Sequence, residues 1–158
     1  MKNLKKMFTL RIRQLTETKG FTLIELLVVI SIIGILASLT LVSYSGAQKQ
    51  TRDTQRRSDL NQYRNSLENY AGSNNGLYPL GINTIANLCG TGKPLTTSYI
   101  ASCPADPITT YLYGFYSSST GDGYVIYAQL ETGGYWEVCS IGKSGKVTVK
   151  PTDSSCDL

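Results

Sequence analysis

The sequence predicts an α+β protein in which a long N-terminal helix packs on a small C-terminal antiparallel β-sheet. Three features of the 158 residues predict this fold: an uncharged apolar run, an amphipathic helical pattern directly after it, and a C-terminal part that alternates Tyr-, Val- and Ile-rich runs with Gly-containing turns. The amphipathic helix and the sheet each offer one apolar face. We therefore expect the two to share a core that neither has alone.

The net excess of positive charge is confined to the N-terminal segment. Residues 1–20 carry six basic side chains and one acidic side chain, whereas the rest of the chain carries nine basic and ten acidic side chains. The formal net charge of +4 is therefore no sign of a nucleic-acid surface. It is typical of the cytoplasmic flank of a membrane segment.

The apolar segment that follows is long enough to span a membrane. Residues 26–48 contain no charged side chain, and a spanning helix needs roughly 20 mostly apolar residues. The positive-inside rule places residues 1–20 in the cytoplasm, residues 21–42 in the membrane and the remainder outside. A cleaved secretory signal, with Ser43 and Ser45 as its best cleavage-site residues, is the alternative, but its apolar core would be shorter and would not contain Glu25.

Residues 43–72 are predicted to continue the same helix. Helical spacing produces an apolar stripe of Leu60, Tyr63, Leu67 and Tyr70. The other faces are expected to carry Arg52, Arg56, Arg57, Arg64 and Glu68. Gly72 is expected to cap the C-terminus of the helix.

Residues 73–158 are predicted to form an external globular domain. Strands are expected over residues 110–116, 123–131, 135–140 and 146–150, with turns at residues 120–122, 132–134 and 142–145. The four cysteines, Cys89, Cys103, Cys139 and Cys156, all lie in this domain. Four exported cysteines favour two disulfides, and of the three pairings we favour Cys89–Cys103 and Cys139–Cys156 because each closes a short loop.

The composition argues against an enzyme. The chain has no His, the commonest general base, and it has neither a carboxylate pair in a motif nor a Gly-rich phosphate loop. The cysteines show no C-x-x-C spacing, which disfavours a metal cluster. We expect no catalytic residue, no metal and no cofactor.

The stretch from Lys19 to Ile30, with Gly20, Phe21 and Glu25, closely resembles the processing site of type IV prepilins and of the pseudopilins of type II secretion. The resemblance implies that a membrane prepilin peptidase cuts the Gly20–Phe21 bond and methylates the Phe21 amine. It also implies that Glu25 of one subunit meets the Phe21 amine of its neighbour during assembly. A pairing within one chain stays open, since the two groups lie about one helical turn apart.

The function implied by this resemblance is structural. The protein would be held in the membrane, cleaved, and polymerised through its N-terminal helix by an assembly platform and its ATPase. We favour a surface or competence pilus over a secretion pseudopilus. The second class of function considered is a single-pass anchored module that binds DNA or a surface carbohydrate without assembling.

The preference for a pilus comes from the globular domain. Residues 103–113 resemble the entry into the sheet of major pseudopilins and Gram-positive competence pilins. Those pseudopilins carry calcium in the loop that follows, but here Asp122 is the only carboxylate between residues 118 and 123.

Aromatic residues are frequent in the predicted sheet: Tyr111, Tyr113, Tyr116, Tyr124, Tyr127, Tyr135 and Trp136. We expect them to pack one sheet face, with an exposed binding patch as the alternative.

Overall fold

The computed structural model describes residues 20–95 and 97–158, apart from the side chains of residues 40–43 and 82–83. The proposed leader therefore lies outside the described residues up to position 19. Helix α1 runs over Leu23–Ser73, and a short 3₁₀-helix covers Ile85–Asn87. The five strands are β1 (Ile82–Thr84), β2 (Gly114–Ser117), β3 (Tyr124–Gln129), β4 (Tyr135–Cys139) and β5 (Ser144–Val147). They form one antiparallel sheet in chain order.

The chain divides into two compact units, one ending at Leu41 and the other covering Val42–Leu158. The core of the second unit lies between the later part of α1 and the inner face of the sheet. Leu60, Tyr63 and Leu67 are fully buried there against Phe115 of β2 and Ile126 of β3, and Tyr70 packs at the margin. The predicted α+β fold and its apolar stripe are confirmed.

The strand boundaries differ from the predicted ones. Residues 110–113 are not strand: the backbone N–H of Tyr111 donates to the Ile108 carbonyl in a turn, and β2 begins only at Gly114. The last strand begins at Ser144, since the turn before it closes early, with Gly142 at φ 84°. Strand β1 was not predicted from the sequence, because three residues are too few to show the alternating pattern of a strand.

The prediction that Gly72 caps α1 is wrong. The helix continues to Ser73, and the chain reverses at Asn75 and Gly76, whose φ angles are 55° and 80°. The Gly76 N–H donates to the Ala71 carbonyl at 2.8 Å, as in a Schellman-type end. The placement of Arg56 on a polar face is also wrong, because its side chain is fully buried.

Candidate processing and assembly site

The predicted cleavage site lies in exposed, non-helical chain just before α1. Gly20 and Phe21 precede the first helical residue, and 88% of the Phe21 surface is exposed. A Cβ added at Gly20 would meet no atom of the described residues within 4 Å. Within the described part of the chain, the peptide bond between these residues is therefore exposed.

Glu25 caps the N-terminus of α1. Its carboxylate accepts hydrogen bonds from the backbone N–H and the hydroxyl of Thr22, both at 2.8 Å, and its own N–H donates to the Thr22 hydroxyl at 3.3 Å. This reciprocal pair is a capping box. The pattern Thr22-Leu23-Ile24-Glu25 carries that signal in the sequence, but it is masked there by the charge of Glu25 in an apolar run, which points to an amine partner.

The apolar side chains in the first part of α1 are exposed. Every described side chain from Phe21 to Leu39 is exposed, and α1 contains a window long and apolar enough to cross a membrane by length and composition. The hydroxyl groups of Ser31 and Ser38 donate to the carbonyls of Leu27 and Ile35 at 2.7 Å. These bonds satisfy polar groups that would otherwise be costly in an apolar surrounding.

The second unit is held together by a buried charge cluster around Arg56. Its guanidinium donates two hydrogen bonds to Asp106, at 2.7 and 2.8 Å, and single bonds to Asp53 and Glu131, at 2.8 and 2.9 Å. Arg52 adds a bidentate pair to Glu131 at 2.6 Å. The cluster ties α1 to the loop before β2 and to the turn between β3 and β4.

This cluster favours ionised carboxylates. Hydrogen bonding to the Arg52 guanidinium lowers the pKa of Glu131 to about 2. Burial alone would raise the pKa of Asp53, but bonds from the Thr132 hydroxyl and from the backbone N–H groups of Glu131 and Thr132 leave it below its ordinary value. The cluster is an anchor rather than a site for proton transfer, because both carboxylates stay charged near neutral pH.

Two disulfides cross-link the globular part. The structure joins Cys89 to Cys103 and Cys139 to Cys156, the pairing that the short loops favoured. In the chain-entropy model a loop of such length contributes about 3 kcal/mol. The second bridge joins the C-terminal segment to β4, and Cys156 packs there against Val125 and Tyr127 of the outer sheet face.

Glu137 is buried beneath this C-terminal segment. One carboxylate oxygen accepts the Asp157 backbone N–H at 3.1 Å, but Oε2 has no hydrogen-bond partner among the described residues. Burial raises the pKa of Glu137, and the nearby carboxylates of Asp157 and Asp153 add to the shift. An acidic residue in a strand gives no sequence signal of such burial.

The residues with metal-ligating side chains that the structure describes in the globular part make contacts within the protein. Glu137, Cys139 and Cys156 lie close together, but the two sulfurs are bonded to each other and offer no thiolate. Asp122 accepts a hydrogen bond from the Ser118 hydroxyl, and that hydroxyl accepts the Asp122 backbone N–H. Asp122 therefore acts as a turn residue.

The aromatic residues divide between the two sheet faces. On the inner face, Tyr113 donates to Asp59 at 2.6 Å and Tyr124 donates to Glu68 at 3.0 Å. Trp136 packs at the margin of the core beneath the Arg57 guanidinium, 4.4 Å from the ring centre. Packing thus explains these residues. A second group gathers on the outer face: Tyr116, Tyr127 and Tyr135.

Comparisons with known proteins agree with this architecture. The family model for the prokaryotic N-terminal methylation motif matches residues 17–41, which include Gly20, Phe21 and Glu25. The type II secretion system core protein G of Escherichia coli (strain K12) is 31% identical over 142 residues, which cover 85% of this chain and 88% of that protein. No solved structure matched the chain. The chain belongs to the type IV pilin and pseudopilin family, whose members are structural, non-enzymatic subunits.

Proposed function

We propose that the protein is a prepilin that is cleaved between Gly20 and Phe21, methylated at the Phe21 amine, and polymerised through its N-terminal helix. The observation that carries the proposal is the run of outward-facing apolar side chains from Phe21 to Leu39, directly at the methylation motif. Such a surface is stable only in lipid or against other apolar helices. Membrane storage and filament assembly supply these two environments in turn.

The proposed topology follows from charge and from the disulfides. The basic leader stays in the cytoplasm, the apolar helix is held in the inner or cytoplasmic membrane, and the unit 42–158 lies outside, where disulfides persist. The partners are a prepilin peptidase with N-methyltransferase activity, an assembly platform with its ATPase, and other copies of this chain.

We further propose that the filament is a pseudopilus of a type II secretion system. The similarity to a secretion core protein over most of both chains favours this assignment and replaces the preference for a surface pilus. A surface pilus remains the second candidate, because two disulfides occur and Asp122 is the only carboxylate in its loop.

Deleting the gene in its host separates these two filaments. A pseudopilus subunit is required for secretion, so we expect exported proteins to accumulate inside the cell envelope while surface filaments persist. Quantitative proteomics of the culture medium and filaments sheared from the cells provide the two readouts. Normal secretion together with loss of surface filaments would favour the pilus and contradict the pseudopilus.

Processing is tested by the mass of the mature N-terminus. We expect a chain that begins at Phe21 and carries one added methyl group. Gly20→Lys should leave the full precursor in the membrane, because a long charged side chain would stand next to the bond to be cut. Gly72→Lys is the matched control, since that position is exposed and a Cβ there also meets open space.

Two results would contradict the proposal. Cleavage near Ser45 would indicate an ordinary secretory signal, and an uncleaved wild-type chain without filaments would indicate an anchored module.

A further inference from the structure

We propose that the outer face of the sheet carries a binding site for a neutral oligosaccharide. A cavity of about 270 Å³ lies on the unit 42–158, and four tyrosines contribute to its wall: Tyr111, Tyr116, Tyr127 and Tyr135. Among its lining residues Lys150 is the only charged one, and no carboxylate is present. This site would serve the globular part and does not depend on how the N-terminal helix is used.

The aromatic wall is arranged before any ligand arrives. Tyr127 is buried, and its ring lies so closely over Gly114 that a Cβ there would overlap it. Tyr116 stacks on Tyr127 with ring centres 6.0 Å apart and an interplanar angle of 16°. Tyr135 contacts the Tyr127 ring edge-on, with ring centres 6.1 Å apart. Rings that are held in place cost little ordering free energy on binding, and their apolar faces suit the C–H groups of a sugar ring.

Polar groups at the cavity can both donate and accept hydrogen bonds. The Gln129 amide and the hydroxyls of Thr84 and Thr110 join the tyrosine phenols in the lining. Each of these groups offers a donor and an acceptor, as does every sugar hydroxyl. Pockets that combine aromatic walls with a few polar groups of this kind fix the orientation of small ligands.

The composition and size of the cavity disfavour two other classes of ligand. Single-stranded nucleic acid is bound by aromatic residues within a groove of several cations, whereas Lys150 is the only cation among the residues that line this cavity. A proline-rich peptide extends about 3.1 Å per residue and needs a groove with successive slots. The cavity lies just below the roughly 300–1,000 Å³ of typical ligand sites, which suits one or two sugar rings.

Saccharide binding can be tested with the full chain in a zwitterionic detergent that has no sugar head group. The probes are cellohexaose, maltohexaose and N-acetylchitohexaose, followed by saturation-transfer NMR and titration. We expect at least one to bind with a Kd of about 1 mM or below. Gln129→Ala, at an exposed position, and Tyr135→Ala should each weaken that binding about tenfold.

The matched control is Tyr44→Ala, which removes an exposed tyrosine of α1 outside the cavity and should leave the Kd unchanged. Unfolding midpoints show whether each variant keeps its fold, and Gln129→Ala decides the matter if Tyr135→Ala does not. Three results would overturn the proposal. These are binding of none of the three saccharides, equal binding by wild type and Gln129→Ala, and selective binding of a dT12 oligonucleotide or a proline decapeptide at the cavity in place of a saccharide.

Discussion

The two compact units differ in which side chains they expose and which they bury. From Phe21 to Leu39 every described side chain is exposed although most are apolar, whereas the unit 42–158 fully buries even Arg56 and Glu137. Exposed apolar surface costs about 25 cal/mol per Å² in water, so the first unit needs lipid or neighbouring subunits. The second unit contains its own core, charge cluster and disulfides. The contacts that stabilise the fold therefore lie in the unit 42–158. We expect the exposed apolar side chains before it to make the contacts of assembly.

The largest expected effect is the loss of stability on removing a buried charge, compared with the loss on removing a half-exposed one. Arg56→Ala would leave Asp53 and Asp106 buried without their cation, at a cost of about 3–5 kcal/mol in the free energy of unfolding. Arg52→Ala, which removes a half-exposed partner of Glu131, should cost about 1 kcal/mol or less. Denaturant unfolding followed by Trp136 fluorescence measures both. Equal losses in the two variants would show that the cluster does not hold the second unit together.

The same substitution at two glycines contrasts the units directly. Gly114→Ala forces a Cβ into the Tyr127 ring and should destabilise the second unit by about 1–3 kcal/mol. At Gly34 an added Cβ meets no atom of the described residues within 4 Å, so Gly34→Ala should leave the unfolding of the second unit unchanged. It should favour helix α1 by about 0.5–1 kcal/mol. Thermal unfolding followed by near-UV circular dichroism tests this contrast. A Gly114→Ala midpoint equal to that of wild type would contradict the close packing on the outer face.

The smallest expected effect is a pH dependence from Glu137. Burial raises its pKa in the folded state, so its contribution to stability is full below the ordinary Glu pKa of about 4.3 and is lost as pH rises through the folded value. Glu137→Gln removes that loss and should be more stable than wild type at pH 7, on the order of 1 kcal/mol. The advantage should vanish near pH 4.

Comparing the variant with wild type at each pH isolates this group. Asp53 and Glu131 have lowered pKa values and contribute the opposite trend, with stability that is present at neutral pH and lost on acidification, but both proteins share it. A stability difference that is the same at pH 4 and pH 7 would show that Glu137 does not titrate in its buried position.

Periodicity and composition predicted the architecture better than the details of the site. The stripe of Leu60, Tyr63 and Leu67 was readable because one helical face is apolar. The burial of Arg56 was not readable, since its partners Asp106 and Glu131 lie 50 and 75 residues away and only the fold brings them together. The spacing of Thr22 and Glu25 does predict the capping role of Glu25. A charge within an apolar run is the more conspicuous feature, and it points to a different role.

We predict that Glu25 serves assembly through its charge rather than through its cap. Glu25→Gln keeps an acceptor for Thr22 and hence the capping box, but it removes the carboxylate that would pair with the Phe21 amine of a neighbour. Thr22→Ala removes the capping hydroxyl and keeps the charge, at a cost of about 1 kcal/mol to the helix. The two variants thus separate two roles that share one side chain.

The decisive measurement is the filament yield of these two variants, compared between sheared and membrane fractions. We predict that Glu25→Gln accumulates as processed, folded monomer in the membrane with few filaments, because an unpaired amine in an apolar core costs several kcal/mol for each subunit added. Thr22→Ala should form filaments nearly as wild type does. Normal filaments from Glu25→Gln, together with their loss in Thr22→Ala, would show that the cap and not the charge pair drives assembly.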